Sequence, residues 1–282
     1  MTQNPDKNAA RQIHPLEDLV RTDRLPHIWC PGCGIGSVFT SCLSAVKKTG
    51  IPYNQFTMVS GIGCSGRGAG YINIDSFHTT HGRAIPFATG IKMARPDLNV
   101  IVFSGDGDLF AIGGNHFIHA ARRNMDITVI CVNNLTYGMT GGQAAATTPH
   151  LAKSSTTTIG NPENPFNLPF IAYASGATYV ARWTMLHARD LADAVEDCLL
   201  RKGFSFIEVL SPCPINFGRR NKEKSLETLR KYHENTIIKN DANPAELDID
   251  YSKGVILGKF VDIDKPSHDE RYKSIYWPEE ED

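Results

Sequence analysis

The sequence predicts an α/β fold, a mostly parallel sheet with helices on both faces, from three observations. First, residues 99–104 (NVIVFS) and 127–132 (ITVICV) are β-branched runs without polar alternation, as in strands buried on both faces. Second, helix-length patterns separate such runs, as βαβ units require. Third, glycine-rich loops follow the strands that end at Ser60, Ser104 and Val132. Open α/β sheets bind ligands at the carboxyl ends of their strands, so three such loops can converge on one phosphorylated ligand.

In chain order, helical spacing marks residues 35–48, directly after Gly34. Residues 56–60 (FTMVS) read as the first strand and 83–95 as the next helix. The two β-branched runs flank a helix at 114–123, and a last helix–strand pair falls at 190–202 and 204–210 (FSFIEVL). Residues 1–26 form an N-terminal arm, 27–220 the body and 221–282 a charged C-terminal extension. Residues 1–218 carry 32 charged side chains, whereas 219–282 carry 27. The body is therefore charge-poor. The extension reads as a solvated helix around 222–240, then an irregular arm ending in the acidic run 279–282.

Composition narrows the function classes. Twenty-nine Lys+Arg against 30 Asp+Glu exclude a bulk electrostatic nucleic-acid binder. With 41% hydrophobic residues the chain is globular rather than disordered. No apolar run is long enough for a membrane span, and the first residues lack a signal-peptide shape, so a cytoplasmic location is expected. Seven cysteines then read as reduced thiols, some serving as metal or cluster ligands.

Two constellations carry chemistry. The strand at 99–104 runs into Gly105-Asp106-Gly107-Asp108, and Asn133-Asn134-Leu135-Thr136-Tyr137-Gly138 follows one crossover later. A carboxylate between glycines can meet a hard cation while the backbone approaches phosphate oxygens. An amide oxygen and a backbone carbonyl are the neutral ligands Mg²⁺ accepts beside it. GDG alone is an ordinary turn, but GDG followed by NN on the next strand is specific.

The second constellation is Cys30 and Cys33 in WCPGCG, Cys64 in GIGCSGR and Cys213 between prolines, all in loops. Cys42, Cys131 and Cys198 fall inside helices or strands and read as core thiols. A thioredoxin-like pair would follow a first strand, which this CPGC does not. Four loop thiols suit either zinc or a [4Fe–4S] cluster, and spacing does not separate them. The neighbouring diphosphate-type loops favour a cluster, which has an electron-transfer role beside a carbanion-forming cofactor.

The GDG–NN pair, 28 residues from Asp106 to Asn134, resembles the thiamine-diphosphate signature. CPGCG, GIGCSGR, HGRA-x3-A-x-G-x-K, GDGD and NN-x2-YGMTGGQ, in this order over residues 27–220, resemble the β subunit of the 2-oxoacid:ferredoxin oxidoreductases. YGMTGGQ looks most like the 2-oxoglutarate branch. The resemblance implies a thiamine-diphosphate-binding fold. It implies Cys30, Cys33, Cys64 and Cys213 as [4Fe–4S] ligands, and Asp106, Asn134 and the Thr136 carbonyl as Mg²⁺ ligands. Ile62, Gly63, Cys64, Ser65, His81, Gly107, Asp108, Gly138 and Met139 are implied as contacts of thiamine diphosphate. Arg67 and Gly141 match positions that vary with substrate, and Arg67 would suit a substrate carboxylate. Outside the motif, His81 would read as a capping residue and Arg67 as a salt-bridge partner.

The resemblance further implies the conversion of 2-oxoglutarate, CoA and oxidised ferredoxin to succinyl-CoA, CO2 and reduced ferredoxin, reversible in principle. Alternatives are the same chemistry on pyruvate or a branched-chain 2-oxoacid, or a non-oxidative thiamine-dependent decarboxylase subunit. Thiamine activation needs a glutamate, which the family places on an α subunit. Between residues 18 and 222 this chain has only Glu163, Glu196 and Glu208, all outside the motifs. An αβ unit, single or doubled, is therefore expected, with no membrane partner.

Overall fold

The computed structural model describes residues 14–222, 225–249 and 254–277. Alternation of helix and strand is as expected: α1 (Ile35–Lys48), β1 (Phe56–Ser60), β2 (Asp75–His78), α2 (Ala84–Ala94), β3 (Asn99–Gly105), α3 (Gly114–Arg122) and β4 (Thr128–Asn133). There follow α4 (Leu168–Ala174), β5 (Tyr179–Thr184), α5 (Ala188–Leu200), β6 (Ser205–Leu210), α6 (Ser225–Glu234), β7 (Thr236–Ile238), β8 (Val255–Asp262) and α7 (His268–Tyr276). The described strands form one sheet in the order β2-β1-β3-β4-β6-β5-β8-β7. The first six run parallel, β8 is antiparallel to β5, and β7 is parallel to β8.

Successive side chains of a strand point to opposite faces, so both faces of the sheet must be covered. Ile101, Phe103, Ile130 and Val132 pack toward α1 and α5 on one face. Val100, Val102, Val129 and Phe206 pack toward α2, α3 and α4 on the other. β3, β4, β5 and β6 contain no exposed residue. Because β1, β3, β4 and β6 run the same way, the loops leaving them open on one edge of the sheet.

The C-terminal extension corrects one expectation. The helix foreseen over 222–240 is limited to α6, and the segment foreseen as an irregular arm supplies β8, which pairs with β5. Val255 and Leu257 are fully buried, and Phe260 and Val261 nearly so. The tail's charge density, averaged over all its residues, hides this short apolar run. β2 and β5 were also outside the strand pattern, β2 being polar (DSFH) and β5 carrying an arginine (YVARWT). The acidic run 279–282 and residues 1–13 of the arm lie outside the described residues. The described part of the arm packs through Leu16 and Leu19 and bridges Val20 to Ile72.

Phe117 anchors one core face. It is fully buried, with its ring centroid 4.4 Å from that of Phe110 and 5.2 Å from those of Phe204 and Phe206. Phe117→Ala is expected to cost about 3–5 kcal/mol, read as a lowered urea midpoint with an unchanged slope.

Candidate functional site

β3 delivers Asp106 at the start of a wide, π-helical turn, Gly107–Ile112. Gly107 admits no side chain, since a Cβ there would lie 2.4 Å from the Tyr137 ring. The Asp106 carboxylate is 2% exposed. One oxygen accepts the Asn134 N–H at 3.4 Å, and the other accepts the Thr147 hydroxyl. Burial pushes its pKa up to about 6, against the hydrogen bonds that favour the charged form.

β4 ends in two consecutive side-chain-capped turns. Asn133 Oδ1 accepts the Leu135 N–H at 3.2 Å, and Asn134 Oδ1 accepts the Thr136 N–H at 3.2 Å. Leu135 is left-handed (φ +64°), a conformation that costs an L-residue roughly 1–2 kcal/mol and is maintained here by these bonds. The Thr136 hydroxyl donates to the Gln143 carbonyl at 2.7 Å, and Tyr137 N–H to the same carbonyl at 3.0 Å, closing the loop. Asp106, Asn134 and Thr136 thus meet at one place.

Asp108 joins the other loops. It is buried, and its oxygens accept the Gly82 N–H at 2.7 Å, the Ile62 N–H at 3.2 Å and the Ser104 hydroxyl at 2.8 Å. His81 Nδ1 lies 2.7 Å from the same carboxylate without an aligned hydrogen bond. A Cβ on Gly61 would meet Asp108 Oδ2 at 1.8 Å, so only glycine lets this loop close down. Asp108 therefore fastens the cradle, with its side chain already occupied. Ser65 is buried, and Gly63 is open at φ +102°.

The four loop cysteines converge. Cys30, Cys33, Cys64 and Cys213 line one cavity of about 250 Å³, together with Asn134, Gly138 and Met139. A Cβ at Gly138 would stand 3.6 Å from the sulfurs of both Cys64 and Cys213. Backbone bonds fix these loops: Cys213 N–H donates to the Asn134 carbonyl at 3.1 Å, and Trp29 Nε1 to the Cys64 carbonyl at 2.7 Å. Burial raises the Cys33 thiol pKa and pushes Cys64 to about 11, so these sulfurs become thiolates only with a cation to hold. Cys42, Cys131 and Cys198 are buried in the core, as expected, with pKa values raised by burial alone or chiefly.

Arg67 is exposed on the turn Ser65–Gly70 and makes no side-chain hydrogen bond or ion pair among the described residues. Gly141 is exposed, and its carbonyl accepts Arg220 Nη2 at 3.4 Å. Thr147, Tyr137 and Gly82 were not foreseen; only their folded contacts with Asp106, Gly107 and Asp108 mark them. None of the three glutamates reaches the cradle as a free acid. Glu208 pairs with Arg182 in the core, Glu196 on α5 pairs with Lys48 at the end of α1, and Glu163 is exposed.

Residues 61–209, which span the cradle loops, match the thiamine pyrophosphate enzyme C-terminal TPP-binding domain. The chain is 50% identical over 255 residues to the 2-oxoglutarate synthase subunit KorB of Methanocaldococcus jannaschii, covering 90% of this chain and 94% of that one. This chain belongs to the β-subunit family of the 2-oxoacid:ferredoxin oxidoreductases. KorB of Methanothermobacter thermautotrophicus is 48% identical over 266 residues, 94% of this chain and 93% of that one. Among solved structures, the 2-oxoglutarate:ferredoxin oxidoreductase from Magnetococcus marinus, with 2-oxoglutarate, coenzyme A and succinyl-CoA bound, superposes with a TM-score of 0.82. That alignment has 31% identity and covers 95% of this chain and 91% of the other. The match to a TPP-binding domain thus covers the residues that form the cradle.

The raised Asp106 pKa has a definite sign. Its folded value, about 6, exceeds the ordinary 3.8, so the folded state holds this proton more tightly than the unfolded chain. Ionisation therefore destabilises the cofactor-free fold as pH rises from about 4 to about 6, by up to about 3 kcal/mol, and the cost persists at pH 7. Asp106→Asn is expected to raise the melting temperature of the cofactor-free protein at pH 7 while abolishing its shift with thiamine diphosphate and Mg²⁺. Thermal scans of both proteins at pH 5 and 7 check this.

Proposed function

We propose that this chain is the thiamine- and cluster-bearing β subunit of a CoA-dependent 2-oxoglutarate:ferredoxin oxidoreductase that forms succinyl-CoA and CO2. The observation that carries this reading is that the Asn134 turn and all four loop thiols line one cavity. A decarboxylase that does not export electrons has no use for thiols at that place.

Thiamine diphosphate, when bound, supplies the carbanion and the electron sink for decarboxylation of a 2-oxoacid. The chain's own residues hold and orient it. Asp106 supplies the one carboxylate for Mg²⁺, with the Asn134 amide oxygen and the Thr136 carbonyl as neutral ligands. Ile62, Gly63, Cys64, Ser65, Gly107, Gly138 and Met139 form the loop walls, and His81 stands at the entry to α2 to meet a diphosphate oxygen. Asp108 positions three of these loops.

Cys30, Cys33, Cys64 and Cys213 would hold a [4Fe–4S] cluster. Zinc draws four sulfurs onto one atom at about 2.3 Å. Here the four thiols line a cavity of about 250 Å³, a space that a multi-atom cluster would fill. Held there, the cluster would supply the one-electron chemistry that links the site to ferredoxin. Arg67 and Gly141 are assigned to the substrate side, Arg67 as partner of a 2-oxoacid carboxylate. The missing acid implies that an α subunit completes the site, and no helix among the described residues is long and apolar enough to cross a membrane.

Anaerobic co-expression with the α subunit, followed by a panel of 2-oxoacids with CoA and a low-potential acceptor, is expected to give succinyl-CoA from 2-oxoglutarate. Acetyl-CoA from pyruvate as the dominant product would overturn the substrate assignment, and full turnover by this chain alone would overturn the need for a partner. The same preparation is expected to contain about four iron atoms per β chain. Cys64→Ala should lose most of the visible absorption; one zinc and no iron would refute the cluster.

A further inference from the structure

The sheet core contains a charged group that the cofactor cradle does not account for. Arg182 on β5 and Glu208 on β6 face each other in register, at 0% and 1% side-chain exposure, with Arg182 Nε 2.6 Å from Glu208 Oε2. Burying two charges is costly, and an apolar pair of similar shape would stabilise a core at least as well. The pair therefore calls for an explanation other than stability.

Its remaining contacts point toward the metal turn. Glu208 is opposite Cys131 on β4, so its carboxylate lies diagonal to Asn133 on the same face. Asn133, fully buried, donates through Nδ2 to Glu208 Oε1 at 2.7 Å. The other end of the same amide, Oδ1, accepts the Leu135 N–H. These partners leave the amide one orientation: a carboxylate only accepts and a backbone N–H only donates. Leu135 is the left-handed residue between Asn134 and Thr136, so its conformation sets the angle between the side chain of one and the carbonyl of the other. On the far side, Arg182 Nη1 donates to the Asp248 carbonyl at 2.9 Å, which brings the C-terminal extension into the same chain of bonds.

We infer that Arg182, Glu208 and Asn133 are positioning residues for the Mg²⁺ turn, with the segment at Asp248 as their outer support. The glutamate spans three strands because each of its oxygens serves a different neighbour. It fixes Asn133, and Asn133 fixes Leu135. The inference rests on the reading of Asp106, Asn134 and Thr136 as the metal ligands.

The test uses the co-expressed αβ complex stripped of cofactor, with Mg²⁺-dependent binding of thiamine diphosphate followed by calorimetry. Arg182→Met combined with Glu208→Leu removes both charges and preserves core volume. Asn133→Ala removes the link and leaves the ion pair intact. Both variants should keep the visible absorption of the complex, which reports its assembly. The half-saturating Mg²⁺ concentration should rise at least about tenfold, the range for partners behind a metal's direct ligands. A merely structural role would lower melting temperature or turnover and leave Mg²⁺ affinity unchanged. Wild-type Mg²⁺ affinity in a folded Asn133→Ala complex would overturn the inference, even if the double variant failed to assemble. Failure of the unmodified complex to bind Mg²⁺ and thiamine diphosphate would instead overturn the ligand reading.

Discussion

The cradle depends on one buried carboxylate. An aspartate withdrawn from water is tolerated only when hydrogen bonds replace its hydration. Asp108 meets that demand with two backbone N–H groups and one hydroxyl, drawn from the loop after β1, the entry to α2 and the end of β3. Three segments are thereby held to one point. The glycine at 61 follows from it, because a Cβ there would strike the carboxylate, whereas Gly82 answers to its left-handed backbone (φ +72°) and to the Ile112 side chain packed against it. Asp106, two residues earlier, is buried with the Asn134 N–H and the Thr147 hydroxyl on its oxygens, and so ties the end of β3 to the turn after β4.

Much of this could be read in the sequence, because parallel strands buried on both faces write themselves as unbroken apolar runs. β1, β3, β4 and β6 were legible for that reason, as were α2, α3 and α5 between them; the short α4, with Pro169 in its first turn, was not. β5 was not, since Arg182 interrupts its run. That arginine is buried by a partner, Glu208, which sits on another strand and has no local signature. β8 was hidden by the charges on either side of it. Chemistry-bearing residues were legible where their type is rare and their spacing fixed: the cysteines, GDG and NN. Thr147 and Tyr137 were not, because a hydroxyl on a buried aspartate and a ring against a glycine exist only after folding.

The motif residues also divide by what the fold has made of them. Asp106 and Asn134 retain capacity toward a ligand, whereas Asp108 has spent its oxygens on the protein itself. A pattern match treats the two aspartates of GDGD alike; burial and bonding separate them. The same distinction sorts the cysteines, three inert in the core and four gathered around one cavity beside the Asn134 turn.

The strand order has a consequence for how the molecule reaches this state. The cavity takes Cys30 and Cys33 from before the first strand and Cys213 from after β6, which pairs with β4 across the whole α4–β5–α5 excursion. Such long-range closures come late in folding, because chain entropy must be given up before the contacts form. Cys30, Cys33 and Cys64 lie within the first 64 residues, so only the fourth thiol, Cys213, waits for β6 to pair with β4. The ring of sulfurs is therefore closed by the same pairing that closes the middle of the sheet.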